Sequence, residues 1–488
     1  MERFKQLFIG GDLSGIQNFL YNISSKKAAV SLKGRSYYLQ QYMEDLSSRI
    51  KDVVASAGAS STEIIYCSGG KFYILTDYSE EIAASIDKCV VDIKQDLWKE
   101  HMGQLGINIS YVPFTEYSDG TVDTLGQSRQ KPECLWKIVN SDFNKQKKQK
   151  FKGVLLDNFK EMFEPIPVGG KPKICCITGV ESPNCVKIDV GEEVDRFVLP
   201  SVREQIQLGE KLRDKQHFKT FEDYADKTYL GVLRMDMDNL GQRFIEGFDS
   251  IQQYKVFSKR LVSFFSDEIE KIRKSENFNE YMNIIYAGGD DLFVVGRWDK
   301  TIEYAERIQK EFSSKFQKDG LTISGGIAVV SPKYPIAKAA ELAGKAEEAA
   351  KQFNDGEKNA FSLLGKTVSW DKEFDFVKSY QQKFVSLISE YGLSKSILHK
   401  LMLYSSIADQ NKIRKEEGKT EDFSYIWHVS YYLTRYMKRY KSEEVRLFCE
   451  QLRDHDIDYR NGRQLELIAL AARWAELLLK NENINNNN

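Results

Sequence analysis

The chain has 488 residues, 42% apolar and 29% charged, with a net charge of −1. That is long enough for several cores and too evenly charged for a global field that draws in nucleic acid. Seven scattered cysteines form no even disulfide framework, which argues against a disulfide-built extracellular scaffold and for a reducing compartment. No apolar run has the length of a membrane span, and Met1 to Gly11 lack a signal-peptide core, so the expected location is the cytoplasm.

Residues 6–12, Gln-Leu-Phe-Ile-Gly-Gly-Asp, read as a short strand ending in Asp12, followed by Leu13-Ser14-Gly15-Ile16-Gln17. A polar, lysine-containing loop is expected through Leu32-Lys33-Gly34-Arg35-Ser36, then a helix from about Ser36 to Ala55. Ile64-Ile65-Tyr66-Cys67-Ser68-Gly69-Gly70-Lys71 followed by Phe72-Tyr73-Ile74-Leu75 predicts a hairpin about a Gly-Gly turn. A helix over about 79–101 and a strand from Gly106-Ile107-Asn108 complete the first stretch.

The same series recurs further on. Leu230 to Met235 form an apolar strand ending in Asp236-Met237-Asp238-Asn239-Leu240-Gly241. A helix follows, with Phe257, Leu261, Phe264, Phe265, Ile269 and Ile272 at helical spacing. Next comes the hairpin Ile284-Ile285-Tyr286-Ala287-Gly288-Gly289-Asp290-Asp291, then a helix over about 300–317 and the strand at Gly320-Leu321-Thr322. Each copy reads β-α-β-β-α-β, the ferredoxin-like arrangement. The fold class is α+β, with two such domains over residues 1–120 and 221–371.

Residues 121–220 read as a linker or insertion domain broken by Pro165, Pro167 and Pro172. The basic run Lys145 to Lys150 lies here and reads as a solvated helix face. Cys175, Cys176 and Cys185 are candidate zinc ligands, but a second pair is missing and no histidine is close, so the pattern argues against a structural zinc site. Lys351 and Lys358, after the second copy, are candidates for triphosphate contact. Residues 372–480 have helical periodicity and no proline, as an all-α domain requires. Within them Tyr431, Tyr432, Arg435, Tyr436, Lys438, Arg439 and Tyr440 form a basic aromatic helix suited to docking a protein partner. Asn481 to Asn488 read as a disordered tail.

The two copies differ in chemistry. Gly70 and Lys71 fall where the second copy has Asp290 and Asp291, so only the second can gather Asp236, Asp290 and Asp291 at strand ends. Asp and Gly are common turn residues, but two acidic strand ends separated by a helix are what two-metal phosphoryl chemistry requires of hard oxygen ligands. The first copy is expected to bind a nucleotide and the second to be catalytic.

Gly11-Asp12-Leu13-Ser14-Gly15-Ile16-Gln17, Leu32-Lys33-Gly34-Arg35-Ser36, Met235-Asp236-Met237-Asp238-Asn239-Leu240-Gly241, Ala287-Gly288-Gly289-Asp290-Asp291, Ser324-Gly325-Gly326-Ile327 and Lys358-Asn359-Ala360 occur in this order. Together they resemble the large palm-domain subunit of type III CRISPR effector complexes (Csm/Cmr type), over residues 6 to about 370. The resemblance implies a target-RNA-activated nucleotidyltransferase that turns ATP into an antiviral second messenger. The product would be cyclic oligoadenylate, or AMP joined to another adenosine-containing acceptor. Asp236, Asp290 and Asp291 would hold two magnesium or manganese ions. Gly288, Gly289 and the amides of Met237, Asp238, Asn239, Leu240 and Gly241 would cradle the triphosphate. Asp12, Ser14, Gly15, Gln17, Ser68, Gly69 and Gly70 would hold the acceptor. Implied partners are CRISPR RNA and target RNA, the backbone and small Cas subunits, and the subunit capping the guide 5′ end. Many members begin with an HD nuclease domain; here the palm motif starts almost at Met1 and the one His-Asp pair is His455-Asp456, so no DNA cleavage is expected. Two rivals are a non-catalytic scaffold of the RNA-guided complex and a GGDEF-like dinucleotide cyclase. The cyclase assembles its site from two identical chains and has Glu-Phe where this chain has Asp291-Leu292.

Overall fold

The computed structural model describes residues 4–23, 27–101, 103–163, 173–182, 184–188, 196–225, 227–457 and 462–486; Pro165, Pro167 and Pro172 lie outside them. The chain folds into two compact units, Met1–Thr322 with Val330–Glu341, and Ile323–Val329 with Leu342–Asn488.

The first unit opens with strands β1 (Gln6–Ser14), β2 (Thr62–Ser68), β3 (Lys71–Asp77), β4 (Gly106–Glu116), β5 (Val122–Thr124) and β6 (Gln127–Gln130). They form one sheet in the order β2–β3–β1–β4–β5–β6, with β1 antiparallel to both β3 and β4. The alternation of β1 feeds two cores. Leu7 and Ile9 join Leu39, Met43 and Ile50 of the Ala28–Ser56 helix and Ile82, Ile86 and Ile93 of the Glu80–His101 helix. Phe8 instead packs on Trp136 of the Glu133–Lys147 helix, ring centroids 4.6 Å apart. The boundary expected at residue 120 therefore falls inside one packed body, because β5 and β6 extend the sheet and the Glu133–Lys147 helix covers it.

The first long helix begins at Ala28, not near Ser36 as the sequence suggests. Gly34, expected in a loop, is the point where this helix crosses the Pro200–Gln216 helix. A Cβ on Gly34 would lie 1.9 Å from the Gln205 carbonyl oxygen, and one on Gly209 would lie 2.0 Å from that of Val30. Close backbone packing compensates for the poor helix propensity of glycine. Between these helices, β7 (Val186–Ile188) and β8 (Arg196–Val198) make a short antiparallel ribbon.

The second repeat supplies β9 (Leu230–Met237), β10 (Met282–Gly288) and β11 (Asp291–Arg297). β11 pairs antiparallel with both β10 and β9. The intervening helix runs Ile251–Ser263, passes through a π turn at Phe264–Glu268 and continues as Ile269–Ser275. Its six predicted apolar positions, Phe257 to Ile272, are all buried. The Trp298–Phe316 helix follows β11.

In the second unit, β12 (Ile323–Val330) runs parallel to β13 (Ala360–Leu363), which is antiparallel to β14 (Lys366–Ser369). Five main helices follow: Asp375–Ser389, Ser396–Glu416, Ser424–Arg439, Glu443–Gln451 and Arg463–Asn486. On the basic aromatic helix Leu433 and Tyr436 are buried, while Trp427 and Tyr431 are exposed. The last helix continues to Asn486, where a disordered tail from Asn481 was expected; residues 487 and 488 lie outside the described residues. His455 and Asp456 close a π turn, and Asp456 accepts a hydrogen bond from the Tyr380 hydroxyl. Among the described residues no helix is long and apolar enough to cross a membrane.

Candidate functional site

The two hairpins meet tip to tip. A Cβ on Gly289 would lie 2.7 Å from the Gly69 Cα, and the Gly289 N–H donates to the Ser68 hydroxyl at 2.7 Å. Only glycine permits so close a backbone approach. The hairpins also share an irregularity: the ladder slips between Ile64 and Tyr66 in one and between Ile284 and Tyr286 in the other. Burial, and then the charges of Asp290 beside Tyr66 and of Asp291 beside Tyr286, hold both phenols well above their ordinary pKa. Both therefore stay protonated, and the Tyr286 hydroxyl donates to the Gly288 carbonyl at 3.0 Å.

The turns differ in backbone. Ser68 pairs with Lys71, so the first turn is Gly69-Gly70, with φ of +58° and +76°. Gly288 pairs with Asp291, so the second turn is Gly289-Asp290, and only Gly289 has positive φ (+71°). The Gly288-Gly289-Asp290-Asp291 turn stands where the sequence puts it, but positive φ, expected at both glycines, is found at Gly289 alone. Gly288 ends β10, and its missing side chain leaves room for the Ser68 hydroxyl, 3.1 Å from where a Cβ would stand.

In the second repeat Asp236 and Asp291 are directly opposite each other on adjacent strands. Asp290 adjoins them in the turn, and its carbonyl accepts from the Met237 N–H at 2.9 Å. Burial raises the Asp290 carboxyl, with Lys71 acting against that rise. Among the described residues no three His, Cys, Asp or Glu side chains stand close enough to form a ready metal cage. The carboxylates thus share one end of the sheet without converging on a point. The donor set is nonetheless of the right kind for a hard cation, since all three side chains offer carboxylate oxygens.

The first repeat keeps the geometry and reverses the charge. Asp12 stands opposite Lys71, and the Leu13 N–H donates to the Gly70 carbonyl at 2.8 Å, as Met237 does to Asp290. Asp12 is 5% exposed, and the Lys147 ammonium lies 2.6 Å from its carboxylate. One lysine of the basic run, expected to be solvated, is therefore an internal counter-ion.

Several predicted site residues have structural duties. Asp238 is buried; its N–H donates to the Thr322 carbonyl at 2.8 Å, and its carboxylate accepts from the Thr322 hydroxyl at 2.7 Å. Met237 and Leu240 are buried, whereas Asn239 and Gly241 are exposed. The Ser14 hydroxyl donates to the Gly106 carbonyl at 3.0 Å, and Gly15 has φ +93° with the Gln104 carbonyl 2.2 Å from a would-be Cβ. Gln17 lies apart from the tips, in an open groove of about 560 Å³ with Tyr21, Arg234 and Glu341. Lys351 and Lys358 belong to the second unit, where Lys351 lies 3.5 Å from Glu347 and Lys358 has φ +62°. Cys175 and Cys185 are buried and Cys176 half-buried, and the Cys175 sulfur accepts from the Thr178 N–H at 3.4 Å.

Beside the tips lies a cavity of about 350 Å³ lined by both repeats, including Lys33, Ser36, Ser68, Asn283 and Tyr286. Burial pushes the Lys33 pKa down to about 8, with Glu270 opposing that shift. Sequence reasoning passed over Lys33, Lys147 and both tyrosines as site residues. The repeated Tyr-before-Gly-Gly pattern was the available signal for the tyrosines; the lysines make contacts with no local signature.

A family model described as Cas10/Cmr2, second palm domain, matches residues 229–362, and one described as Csm1 subunit domain B matches residues 5–165. Among curated proteins, the chain is 28% identical over 484 residues to the single-strand-specific deoxyribonuclease Cas10/Csm1 (subtype III-A) of Enterococcus italicus, covering 84% of this chain and 61% of that protein. It is 25% identical over 446 residues to the protein of the same description from Mycobacterium tuberculosis, covering 74% and 54%. The chain thus spans a little over half the length of these relatives. Among solved structures, a Csm1–Csm4 cassette in complex with pppApApA aligns at TM-score 0.66 and 18% identity, covering 97% of this chain and 70% of that one. The same cassette with cA4 aligns at TM-score 0.63 and 18% identity, covering 96% and 70%. At that identity the likeness shows a shared fold.

Proposed function

We propose, from the premise that the chain belongs to the Cas10/Csm1 family of large type III CRISPR effector subunits, that it is a nucleotidyltransferase making an adenylate second messenger. The observation that carries this is the asymmetry of the repeats: one hairpin geometry twice, tips in contact, with the carboxylates Asp236, Asp290 and Asp291 in only one copy. Each repeat is taken as a ferredoxin-like palm, which the order β2–β3–β1–β4 supports. The solved relatives in complex with pppApApA and cA4 lend support to ATP as substrate and an oligoadenylate as product.

In the proposed reaction a 3′-hydroxyl oxygen of the acceptor bonds to the α-phosphorus of ATP. The bond from that phosphorus to the bridging oxygen breaks, pyrophosphate leaves with the electron pair, and the hydroxyl proton passes to solvent. Asp236, Asp290 and Asp291 would hold the divalent cations, magnesium or manganese, which when bound supply charge neutralisation on the phosphates. The glycine turns keep side chains out of the phosphate path, and the protonated Tyr286 holds the Gly288 carbonyl without adding charge. Gly69, Gly70 and the Asp12 end of β1 are assigned to the acceptor. The product is cyclic oligoadenylate, or AMP joined to another adenosine-bearing acceptor, formed inside a complex with guide RNA, a Csm4-type subunit and other Cas subunits when target RNA pairs. The deoxyribonuclease activity named for the longer relatives forms no part of the proposal.

The test is to assemble the complex, add target RNA, ATP and magnesium, and weigh the product. An adenylate that appears only with target RNA and a divalent cation is expected. ATP left intact under these conditions would overturn the proposal in favour of a scaffold, and a GTP-derived dinucleotide would favour the cyclase.

A further inference from the structure

Each repeat sends the helix after its first strand against the hairpin of the other: the Ala28–Ser56 helix packs on β10, and the Ile251–Ser263 helix packs on β2. The lysines at these crossings behave differently. Lys255 makes an ion pair with Glu63 at 2.5 Å. Lys33 donates from its ammonium to the Ile284 backbone carbonyl at 2.6 Å. Ile284 is the residue at which the β10–β11 ladder slips before resuming at Tyr286. A strand slip bends the chain and loosens the ladder, so the turn beyond it is aimed only as well as the slip is held. Past that point the Tyr286 hydroxyl holds the Gly288 carbonyl and the Ser68 hydroxyl holds the Gly289 N–H. With Lys33 included, the segment leading to Asp290 is tied at three successive points, two of them by the first repeat.

We propose that Lys33 is a positioning residue: by holding the Ile284 carbonyl at the slip, it sets where the Gly289-Asp290-Asp291 turn presents its carboxylates. Lys33 acts through the strand. Its catalytic consequence rests on the transferase proposed above, while the placement of the turn is independent of it.

The test compares Lys33→Met and Lys33→Arg with the wild type in the assembled complex. Lys33→Met is expected to lower kcat by roughly 10²-fold, the cost of a misplacement of about 1 Å, with KM for ATP changed less than about twofold. Lys33→Arg, which keeps a cationic donor, is expected to recover about tenfold of that loss. Amide exchange over residues 282–297 should quicken in Lys33→Met and revert in Lys33→Arg, while residues 71–77 exchange as in the wild type. Unchanged exchange over 282–297 in Lys33→Met overturns the proposal, whatever the activity. Altered exchange with an inactive wild type overturns the transferase and leaves the positioning role standing. If Lys33→Met does not assemble, Lys33→Gln, polar but too short to reach the carbonyl, carries the same exchange measurement.

Discussion

The two hairpins share register, slip and tyrosine, and they part in charge. Asp12 faces Lys71 and has Lys147 as counter-ion, whereas Asp236 faces Asp291 with Asp290 beside them. Carboxylates placed opposite each other at a sheet end repel, a cost that folding alone does not require. The first repeat shows how the same backbone is stabilised when no cation is to be held: replace two turn residues and add a lysine. What the second repeat gathers at its strand ends is three carboxylates, Asp236, Asp290 and Asp291, and this difference in residue type points to function rather than to folding.

The most severe way to break the comparison is Asp290→Ala with Asp291→Ala. Product formation should fall by roughly 10³-fold or more with the melting temperature unchanged or higher, measured by product mass and thermal unfolding. The reverse exchange sharpens it. Gly70→Asp with Lys71→Asp should create no second site, because Asp12 remains paired with Lys147. The Gly70 change alone should cost roughly 2–3 kcal/mol in denaturant unfolding, since φ there is +76° and the Ile16 Cδ1 lies 2.3 Å from a new Cβ.

A third difference lies at the end of the helix before each repeat's last strand, His101 in one and Phe316 in the other. His101 is 5% exposed, its Nε2 lies 2.9 Å from the Tyr38 hydroxyl, and burial, then Arg35, pushes its pKa down to about 4. Between about pH 6.5 and 4 the unfolded chain binds a proton that the folded chain does not, so stability falls as pH drops through that window. The loss reaches about 3 kcal/mol at its lower end. In His101→Phe this component of the pH slope should vanish, as read by denaturant midpoints at pH 7, 5.5 and 4.5. The smallest effect is expected for Lys147→Ala. That side chain is 44% exposed, so removing it should cost less than about 1 kcal/mol and change product formation by less than about twofold. A large loss there would mean that the first repeat contributes charge to the chemistry.

The amino-acid order determined the duplication, the hairpins and the confinement of the hairpin carboxylates to one copy. These are matters of local spacing: Tyr66 and Tyr286, the glycines and the acidic strand ends recur at fixed offsets, and helix and strand periods are short-range properties. It misread Gly34, because a glycine looks the same whether it sits in a loop or lets a second backbone approach. It pointed to positive φ at both Gly288 and Gly289, because only the folded backbone decides which glycine of a turn takes the left-handed angle. The tip contact, the Lys147 counter-ion to Asp12 and the grip of Lys33 on a carbonyl 251 residues away were decided by tertiary structure alone. Such contacts depend on which surfaces the folded chain presses together, and no local pattern of residue types encodes that.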